Sequence, residues 1–370
     1  MARKMILSRN GLWCCAFVLA AGLGLAGPVR AADPQSPMHW PAIAVRAPAQ
    51  ALLISVARAG NRLVAVGGHG VIIYSDDNGQ NWRQAEVPVS ETITCVAFAD
   101  AKDGWAAGDQ GVVLHTDDGG VSWKIQLTGD QVLGLMTKAA AAYAAAHPGD
   151  EAADLAVRRA GILKDAGDDK PFLTILAQSP QEAEIFGAYR IAVRTTDGGK
   201  SWQDWSLHVD DPVSHNIYKV AQDGQALFLT GEDGTVLRSD DGGQNYATVT
   251  VPDENTFLGI LGTPKGAVLT YGVAGEIYRS ADEGKNWTPV QSPASSDLTD
   301  GIVLRSGAIL LTSEDGNLFI SHDDGQNFAP VGANLKMGVF GLTQAANGDV
   351  VFVGSGGVRV EPAALFAAAQ

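Results

Sequence analysis

A nine-residue phrase recurs six times in this chain, and its regular spacing restricts the possible folds more than any other feature of the sequence. The first copy, YSDDNGQNW, begins at Tyr74. Most successive copies lie 41 to 44 residues apart, and the gap of 79 residues between the second and third copies corresponds to one period plus an insertion. The later copies begin at His115, Arg194, Arg238, Arg279 and Ile320. A fixed period in this range is typical of solenoids, propellers and arrays.

Each copy follows the pattern Ser/Thr-x-Asp-x-Gly-x-x-aromatic, which is the Asp-box or BNR motif. Asp and Ser/Thr side chains accept hydrogen bonds from turn amides, and glycine adopts a positive φ without a Cβ clash. The motif therefore predicts a β-hairpin turn in which the aspartate, the glycine and the aromatic residue have a structural role. These predicted structural residues are Asp77, Gly79, Trp82, Asp118, Gly120, Trp123, Asp197, Gly199, Trp202, Asp241, Gly243, Tyr246, Asp282, Gly284, Trp287, Asp323, Gly325 and Phe328.

Each repeat contains four strand-like segments. Two apolar runs around a glycine-containing turn precede the motif, another apolar run precedes these, and a fourth segment follows the motif. A seventh unit, around Gly354-Ser-Gly-Gly357, has the turn but no downstream motif. The sequence therefore predicts an all-β fold, a seven-bladed β-propeller of four-stranded blades. Since the last unit lacks its fourth strand, we expect residues 39–46 to supply it and close the ring, which removes exposed sheet edges.

Residues 129–170 interrupt the repeat between the second and third blades. Their Ala-rich composition and the break at Pro148-Gly149 predict a helical hairpin. We expect the hairpin and the glycine turns on one face of the propeller, with the Asp boxes on the opposite side. Two interpretations stay open: the hairpin docks a partner protein, or it is an insertion that only packs on itself. In the second case a stripe of Leu133, Leu135, Met136 and Tyr143 packs onto Leu155, Ile162 and Leu163.

The third glycine turn departs from the repeat beside this hairpin. It reads Gly187-Ala-Tyr-Arg190, so that an arginine stands where the other turns have a glycine. A lone positive charge on an acidic face suits contact with another protein. Tyr189 and Arg190 are therefore the candidate partner-binding residues.

The first 31 residues read as a secretory signal peptide, with basic residues, an apolar stretch too short for a good membrane span, and a small-x-small site at Val29-Arg30-Ala31. Residues 32–370 then form one propeller domain, which is periplasmic or secreted and does not itself span the membrane. We expect Cys14 and Cys15 to be removed with the peptide, because the small residues that precede the cysteine of a lipid-anchor site are not found before them. Cys95, in an apolar run, is expected to be a buried free thiol.

The net charge of −15 argues against nucleic acid and anionic membranes as partners. The histidines lack metal-ligand spacing, and the chain has no phosphate-binding glycine loop, so we predict no metal, no cofactor and no catalytic residue. Carboxylates of the turns either attract a cation or are simply solvated; they are Asp109, Glu232, Asp233, Glu314 and Asp315.

Asp-box propellers include sialidases, whose sites need a cluster of arginines. The fragment Tyr189-Arg190-Ile191 is similar to a sialidase Arg-Ile-Pro, but it precedes the third motif and lacks the proline. Arg194, Arg238 and Arg279 each occupy one repeated strand position and are expected on the strand surface. An Asp-box glycan-binding protein or sialidase-like glycoside hydrolase is the alternative to a non-enzymatic protein.

Residues 40–360 resemble the photosystem II stability/assembly factor-like proteins, through their G-x-x-G and S/T-x-D-G-G-x-x-W units. The segments Asp169-Lys-Pro-Phe172 and Phe186-Gly-Ala-Tyr189 resemble those of exported bacterial relatives, which are often encoded near RND-type transporters. The resemblance implies a seven-bladed propeller that holds a membrane-protein subunit during assembly without catalysis. The expected function is thus a protein-binding scaffold or assembly or stability factor for a membrane complex, with an RND-type transporter as one candidate partner.

Overall fold

The computed structural model describes residues 37–367, so the predicted signal peptide, with Cys14 and Cys15, lies outside the described residues. The described chain forms seven antiparallel sheets, and each sheet uses strands that are consecutive in the sequence. Six sheets have four strands, and the last has three. The predicted all-β, seven-bladed propeller is confirmed, with each sheet as one blade.

The strands of the first three blades are numbered in chain order. Blade 1 contains β1 (Leu53–Ala59), β2 (Arg62–Gly67), β3 (Ile72–Ser75) and β4 (Arg83–Gln84). Blade 2 contains β5 (Ile93–Phe98), β6 (Gly104–Gly108), β7 (Val113–Thr116) and β8 (Lys124–Leu127). Blade 3 contains β9 (Phe172–Ser179), β10 (Glu182–Gly187), β11 (Ala192–Thr195) and β12 (Gln203–Asp204).

The remaining four blades follow the same order. Blade 4 contains β13 (Ile217–Asp223), β14 (Ala226–Gly231), β15 (Val236–Ser239) and β16 (Ala247–Val249). Blade 5 contains β17 (Phe257–Gly262), β18 (Val268–Gly272), β19 (Ile277–Ser280) and β20 (Thr288–Val290). Blade 6 contains β21 (Leu298–Val303), β22 (Ile309–Ser313), β23 (Asn317–Ser321) and β24 (Ala329–Asn334). Blade 7 contains β25 (Val339–Gln344), β26 (Val350–Gly354) and β27 (Gly357–Glu361).

Apolar packing between neighbouring blades forms the core. The second strand of a blade is buried on both of its faces, as in β6, where all five residues are buried. Between blades 2 and 3, Trp105 and Val113 pack against Ile185 and Val193. Each side chain of this size stabilises the fold by about 1.5–3 kcal/mol when fully buried. The short apolar runs of the sequence thus become strands because each can cover both of its neighbours.

The expected role of residues 39–46 as the missing strand of blade 7 is wrong. This segment lies along blade 1, where Ala42 N donates to Val87 O at 3.0 Å and Gln84 Nε2 donates to Ile43 O at 2.9 Å. Pro41 lies within the segment and Pro48 follows it, and both lack the N–H group that a strand residue donates to a ladder.

The ring closes instead by packing between the first and last blades. Strand β25 contacts β1, and Val353 of β26 shares a buried cluster with Leu53, Ala65 and Ile73 of blade 1. Asn347 N also donates to Asn78 Oδ1 at 3.1 Å, across the same junction. Closure therefore rests on side chains, and blade 7 keeps three strands.

The predicted helical hairpin is confirmed as α1 (Gly129–Ala146) and α2 (Glu151–Asp165). The Asp150 side chain caps α2 by accepting a hydrogen bond from Ala152 N at 2.9 Å. Four hairpin side chains join the core between blades 2 and 3, and they are Val132, Leu133, Met136 and Leu163. The hairpin is therefore fixed to the propeller.

The glycine turns between second and third strands lie on the same face as the hairpin, as expected. Helix α1 contacts the turn Asp109–Gly111, and Arg159 of α2 donates a hydrogen bond to Tyr189 O in the turn Ala188–Arg190. The Asp boxes follow the third strands, at the opposite ends of those strands. The propeller thus has a hairpin face and an Asp-box face.

The first strands of all seven blades line a central channel of about 380 Å³. Lys219 of blade 4 and Asp300 of blade 6 form an ion pair at 2.7 Å in this channel. Asp300 also accepts a hydrogen bond from Leu342 N of blade 7 at 3.2 Å. These polar contacts link blades that are not neighbours.

Candidate functional site, a groove beside the helical hairpin

A groove of about 720 Å³ separates α2 from the junction of blades 3 and 4. One wall is α2, with Leu155, Arg158, Arg159 and Ile162. The opposite wall is the link between the two blades, residues 207–214, and the lining is completed by Tyr189, Arg190 and residues 245–247. This volume falls within the range of roughly 300–1,000 Å³ that is usual for ligand pockets.

The hairpin places apolar side chains on the groove rather than in its own interface. Ala156 and Ala160 of α2 pack on Ala140 and Tyr143 of α1, so the small residues form the helix–helix contact. Leu155 is 45% exposed and Ile162 is 68% exposed. The expectation that Leu155 and Ile162 pack inside the hairpin is therefore wrong, because the alanine stripe at positions 153, 156 and 160 occupies that face.

Tyr189 and Arg190 have left-handed backbone conformations, with φ values of 55° and 56°. The residues that match Tyr189 in other turns, such as His69 and Gln110, share its conformation, so this feature belongs to the repeat. Arg190 departs from the repeat because it holds at a glycine position a conformation that costs a non-glycine residue roughly 1–3 kcal/mol. The residue that matches Arg190 in blade 1 is Gly70, and a Cβ built at Gly70 would lie 2.1 Å from Val89 O. The link after blade 3 leaves room for the arginine side chain.

The Arg190 guanidinium fastens this link to the turn. Its Nη1 donates to Val209 O at 3.1 Å and to Asp211 O at 2.6 Å. The Asp211 carboxylate in turn accepts a hydrogen bond from His215 N at 2.6 Å. The structure therefore places both predicted candidates, Tyr189 and Arg190, in the wall of a concave site.

Sequence reasoning missed the other basic residues of the groove. Arg159 lies close enough to Arg190 for each positive charge to act on the other, and burial followed by this repulsion lowers the pKa of Arg159 to about 10. Burial also lowers the pKa of Arg190, against the opposing effect of nearby carboxylates, chiefly Asp211. The Nε atoms of Arg159 and Arg190 are buried and have no hydrogen-bond partner in residues 37–367.

The junction of blades 3 and 4 also departs from the Asp-box pattern. In three motifs the tryptophan indole donates to the carbonyl of its own glycine, as Trp287 does to Gly284 at 3.0 Å. The fourth motif has Tyr246, whose hydroxyl donates to Glu184 Oε2 of blade 3 at 2.6 Å. Trp205, from the link after blade 3, instead donates to Gly243 O at 2.7 Å.

The carboxyl group that accepts the Tyr246 hydrogen bond is buried. Glu184 is fully buried, and burial raises the pKa of its carboxyl to about 7, although hydrogen bonding from Tyr246 and the charge of Arg194 oppose the shift. Arg194 is itself only 6% exposed and lies 4.7 Å above the Trp205 ring. The expectation that Arg194 is a strand-surface residue is therefore wrong.

The six Asp boxes occupy the turns after their third strands and bond within themselves. In the fifth copy, Ser280 Oγ donates to Asp282 Oδ1 at 2.8 Å and accepts from Gly284 N at 2.8 Å. Asp282 also accepts from Asn286 N and Nδ2, and these bonds lower the pKa of its carboxyl to about 2. The same hydroxyl-to-carboxylate bond occurs in the other five copies at 2.7–2.9 Å.

The carboxylates of the glycine turns bond within their own parts of the ring. Glu232 accepts from Asn216 N at 2.9 Å, and Asp315 accepts from Ser313 Oγ at 2.5 Å. Within residues 37–367, no group of three or more His, Cys, Asp or Glu side chains could hold a metal ion. Cys95 is a buried free thiol, as predicted, and burial raises its pKa to about 12.

The chain is similar to known proteins over most of the propeller. A family model described as Photosynthesis system II assembly factor YCF48 matches residues 80–137 and 166–339, more than half of the chain. The chain belongs to the YCF48 family. The BNR/Asp-box repeat model also matches residues 73–84, so the resemblance inferred from the sequence is confirmed.

Among curated YCF48 relatives, the Photosystem II assembly lipoprotein Ycf48 of Synechococcus sp. (strain CC9902) is 28% identical over 102 residues. That match covers 26% of this chain, and it spans only 31% of the relative's length.

Solved structures share the fold at low identity. A structure described as YCF48 bound to D1 peptide has a TM-score of 0.62 at 18% identity, over 84% of this chain and 92% of its own. YCF48 from Cyanidioschyzon merolae has a TM-score of 0.59 at 14% identity, over 84% and 94%. The WD40 β-propeller domain of Doa1 reaches 0.59 at 11% identity, over 89% and 98%.

The YCF48 family model omits residues 138–165, which form most of the hairpin. The α2 wall of the groove therefore lies outside the part of the chain that the family model describes. The other wall, residues 207–214, lies inside the matched region.

We predict that Asp118→Ala lowers the free energy of unfolding by about 1–3 kcal/mol, because Val121 N, Ser122 N and Ser122 Oγ lose their shared acceptor. The adjacent Asp117→Ala is the matched control. Asp117 only pairs with exposed Lys124 at 3.3 Å, so this change should cost less than about 1 kcal/mol. Urea unfolding of both variants tests the structural role of the motif; equal effects would contradict it.

We also predict a pH dependence from Glu184. In the unfolded chain this carboxyl ionises near pH 4.5, and in the folded chain near pH 7, so its contribution to stability is complete below pH 4.5 and is lost as the pH rises through 7. Relative to Glu184→Gln, the wild-type protein should lose up to roughly 3 kcal/mol across this window. Urea unfolding at a series of pH values measures the difference, and parallel profiles would show that Glu184 ionises normally.

Proposed function

We propose that this protein is an exported, non-catalytic propeller that binds a membrane-protein partner through its hairpin face and acts as a scaffold or assembly or stability factor. The observation that carries the proposal is the groove, which is concave, largely apolar and built where the repeat is most irregular. Membership of the YCF48 family supports an assembly role, since one relative is named an assembly lipoprotein and one solved member is described as bound to D1 peptide.

The proposal of a non-catalytic role rests on where the reactive-looking residues lie. Arg238 and Arg279 pair with acidic residues of their own or the next motif, and Arg194 pairs with Glu182. These arginines lie on the third strands of three blades, and each is held by its own acidic partners. The Asp-box carboxylates are committed to their own turns. No observation therefore favours the glycan-binding or hydrolase alternative.

The proposed location follows from the sequence. Export to the periplasm or beyond rests on the predicted signal peptide of residues 1–31. In residues 37–367, no helix has the length and apolar character needed to cross a bilayer. The partner is proposed to carry the membrane-spanning part, and an RND-type transporter is one candidate for it.

The partner should be reached from the hairpin face. The test replaces Val213, 71% exposed on the groove link, with a photo-crosslinking amino acid in the full-length protein expressed in its native envelope. The matched control places the same crosslinker at the exposed Lys200, in the third Asp box. We predict that mass spectrometry identifies a membrane protein joined to position 213 and absent at position 200.

Two results would contradict this proposal. Crosslinks to a membrane protein from position 200 alone would place the binding surface on the Asp-box face. Recovery of no membrane protein from either position would remove the assembly or scaffold role. Deleting residues 129–170 is a poorer test, because Leu133, Met136 and Leu163 belong to the core between blades 2 and 3.

A further inference from the structure

We infer that the groove recognises a peptide segment in which aliphatic side chains flank a carboxylate. This inference rests on the proposed function, since it specifies the part of a protein partner that enters the site. It concerns a surface in which eight of the twenty lining residues belong to the segment that the YCF48 family model omits.

The first step is the apolar surface. Twelve large apolar side chains of residues 37–367 are exposed, and five of them line this groove. They are Leu155, Ile162, Tyr189, Leu207 and Val213. Because exposed apolar side chains on a soluble protein are usually scattered, a cluster around one concavity marks a binding surface. The complementary feature of the occupant is a set of aliphatic side chains.

The second step is the charge. The chain carries a net charge of −15, yet the groove is lined by Arg158, Arg159 and Arg190 and by one acidic residue, Asp210. Arg158 forms no ion pair or side-chain hydrogen bond within residues 37–367. The groove is therefore a local excess of positive charge on an acidic protein, which favours an occupant with negative charge.

The arginines of the groove retain N–H groups that can bond to a ligand. Arg159 uses Nη2 for Tyr189 O, and Arg190 uses Nη1 for Val209 O and Asp211 O, while both buried Nε atoms lack acceptors in residues 37–367. A carboxylate accepts two parallel hydrogen bonds from a guanidinium, and such charge-assisted bonds are among the strongest in proteins. Because the two Nε atoms are closed to solvent, we expect a carboxylate in the groove to bond to the Nη atoms that these contacts leave unused, Nη1 of Arg159 and Nη2 of Arg190.

The lining also favours a peptide over a membrane surface. A bilayer presents a broad and nearly flat surface, whereas this site is a concave groove between a helix and a link. Its combination of tyrosine, arginine and aliphatic side chains around a pocket is typical of the centres of protein–protein interfaces. The occupant is therefore placed with its carboxylate near Arg159 and Arg190 and its aliphatic side chains against Leu155 and Ile162.

The test selects ligands from a random linear peptide library displayed on phage, panned against the purified full-length protein. The selected peptides are then synthesised with a fluorophore, and each is paired with a copy in which Asp or Glu is replaced by Asn or Gln. We expect enrichment of peptides that combine an acidic residue with neighbouring aliphatic residues. Fluorescence anisotropy should show about tenfold weaker binding for each amide copy.

Matched variants assign the binding to the groove. Ile162→Asp and Arg158→Glu change exposed groove residues that take no part in the core, and each should weaken binding about tenfold or more. Val157→Asp, on the same helix but outside the groove lining, and Lys138→Glu on α1 are the controls and should leave affinity unchanged. Circular dichroism confirms that all four variants are folded.

Several outcomes would overturn the inference. Equal binding of the acidic and amide peptides would remove the carboxylate, and equal binding by Ile162→Asp would place the peptides elsewhere. A third outcome combines two results: the panning enriches no peptide, and the protein binds vesicles of anionic phospholipid unless Arg158→Glu is present. This outcome would show that the groove contacts a lipid surface. If peptides behave as expected but position 213 crosslinks no membrane protein, the groove chemistry stands and the proposed function fails.

Discussion

The apolar contact between neighbouring blades is the interaction on which the rest of this structure depends. Each second strand is buried on both faces, so every blade needs a neighbour on each side. The ring meets this need at its closing point by packing Val353 against Leu53 and Ile73, without a strand exchanged between the first and last blades. A closed ring held this way is a stiff support, and its two faces present different sets of loops.

The two faces differ in how their polar groups are used. On the Asp-box face, six carboxylates spend their hydrogen bonds on the serine or threonine hydroxyls and amides of their own turns. Departures from the repeat concentrate beside the hairpin, at the junction of blades 3 and 4. Arg190 replaces a glycine, Tyr246 replaces a tryptophan, and Trp205 bonds to the next blade. Local departures of this kind are expected at functional sites.

The sequence predicted the architecture well because its signal is repeated. The period, the glycine turns and the motif each recur, so errors in one unit are corrected by the others, and the hairpin was visible as an alanine-rich interruption. The chain also pointed to Tyr189 and Arg190, since an arginine in a glycine position is conspicuous within a repeat.

Features that depend on a single tertiary contact could not be predicted from the sequence pattern. The sequence places residues 39–46 on the wrong blade because any extended segment has the backbone groups to pair with an open sheet edge. Arg194 is buried because Glu182, Glu184 and Trp205 surround it, and no local pattern reports those partners. Leu155 and Ile162 face the groove because alanines occupy the helix–helix contact. The spacing of the alanines at positions 153, 156 and 160 indicates this contact, but the larger apolar side chains of Leu155 and Ile162 are the stronger signal for a buried face.

The central proposal is that each Asp box stabilises its own turn while the groove binds the partner. Hydrogen–deuterium exchange measured on the purified protein, and again on the protein bound in its native envelope, tests this most directly. The account predicts slower exchange on binding in α2, in residues 207–214 and in the fourth Asp box, whose Asn245 and Tyr246 line the groove, with the other five Asp-box turns unchanged. Slower exchange confined to the Asp-box turns, with α2 unaffected, would contradict it.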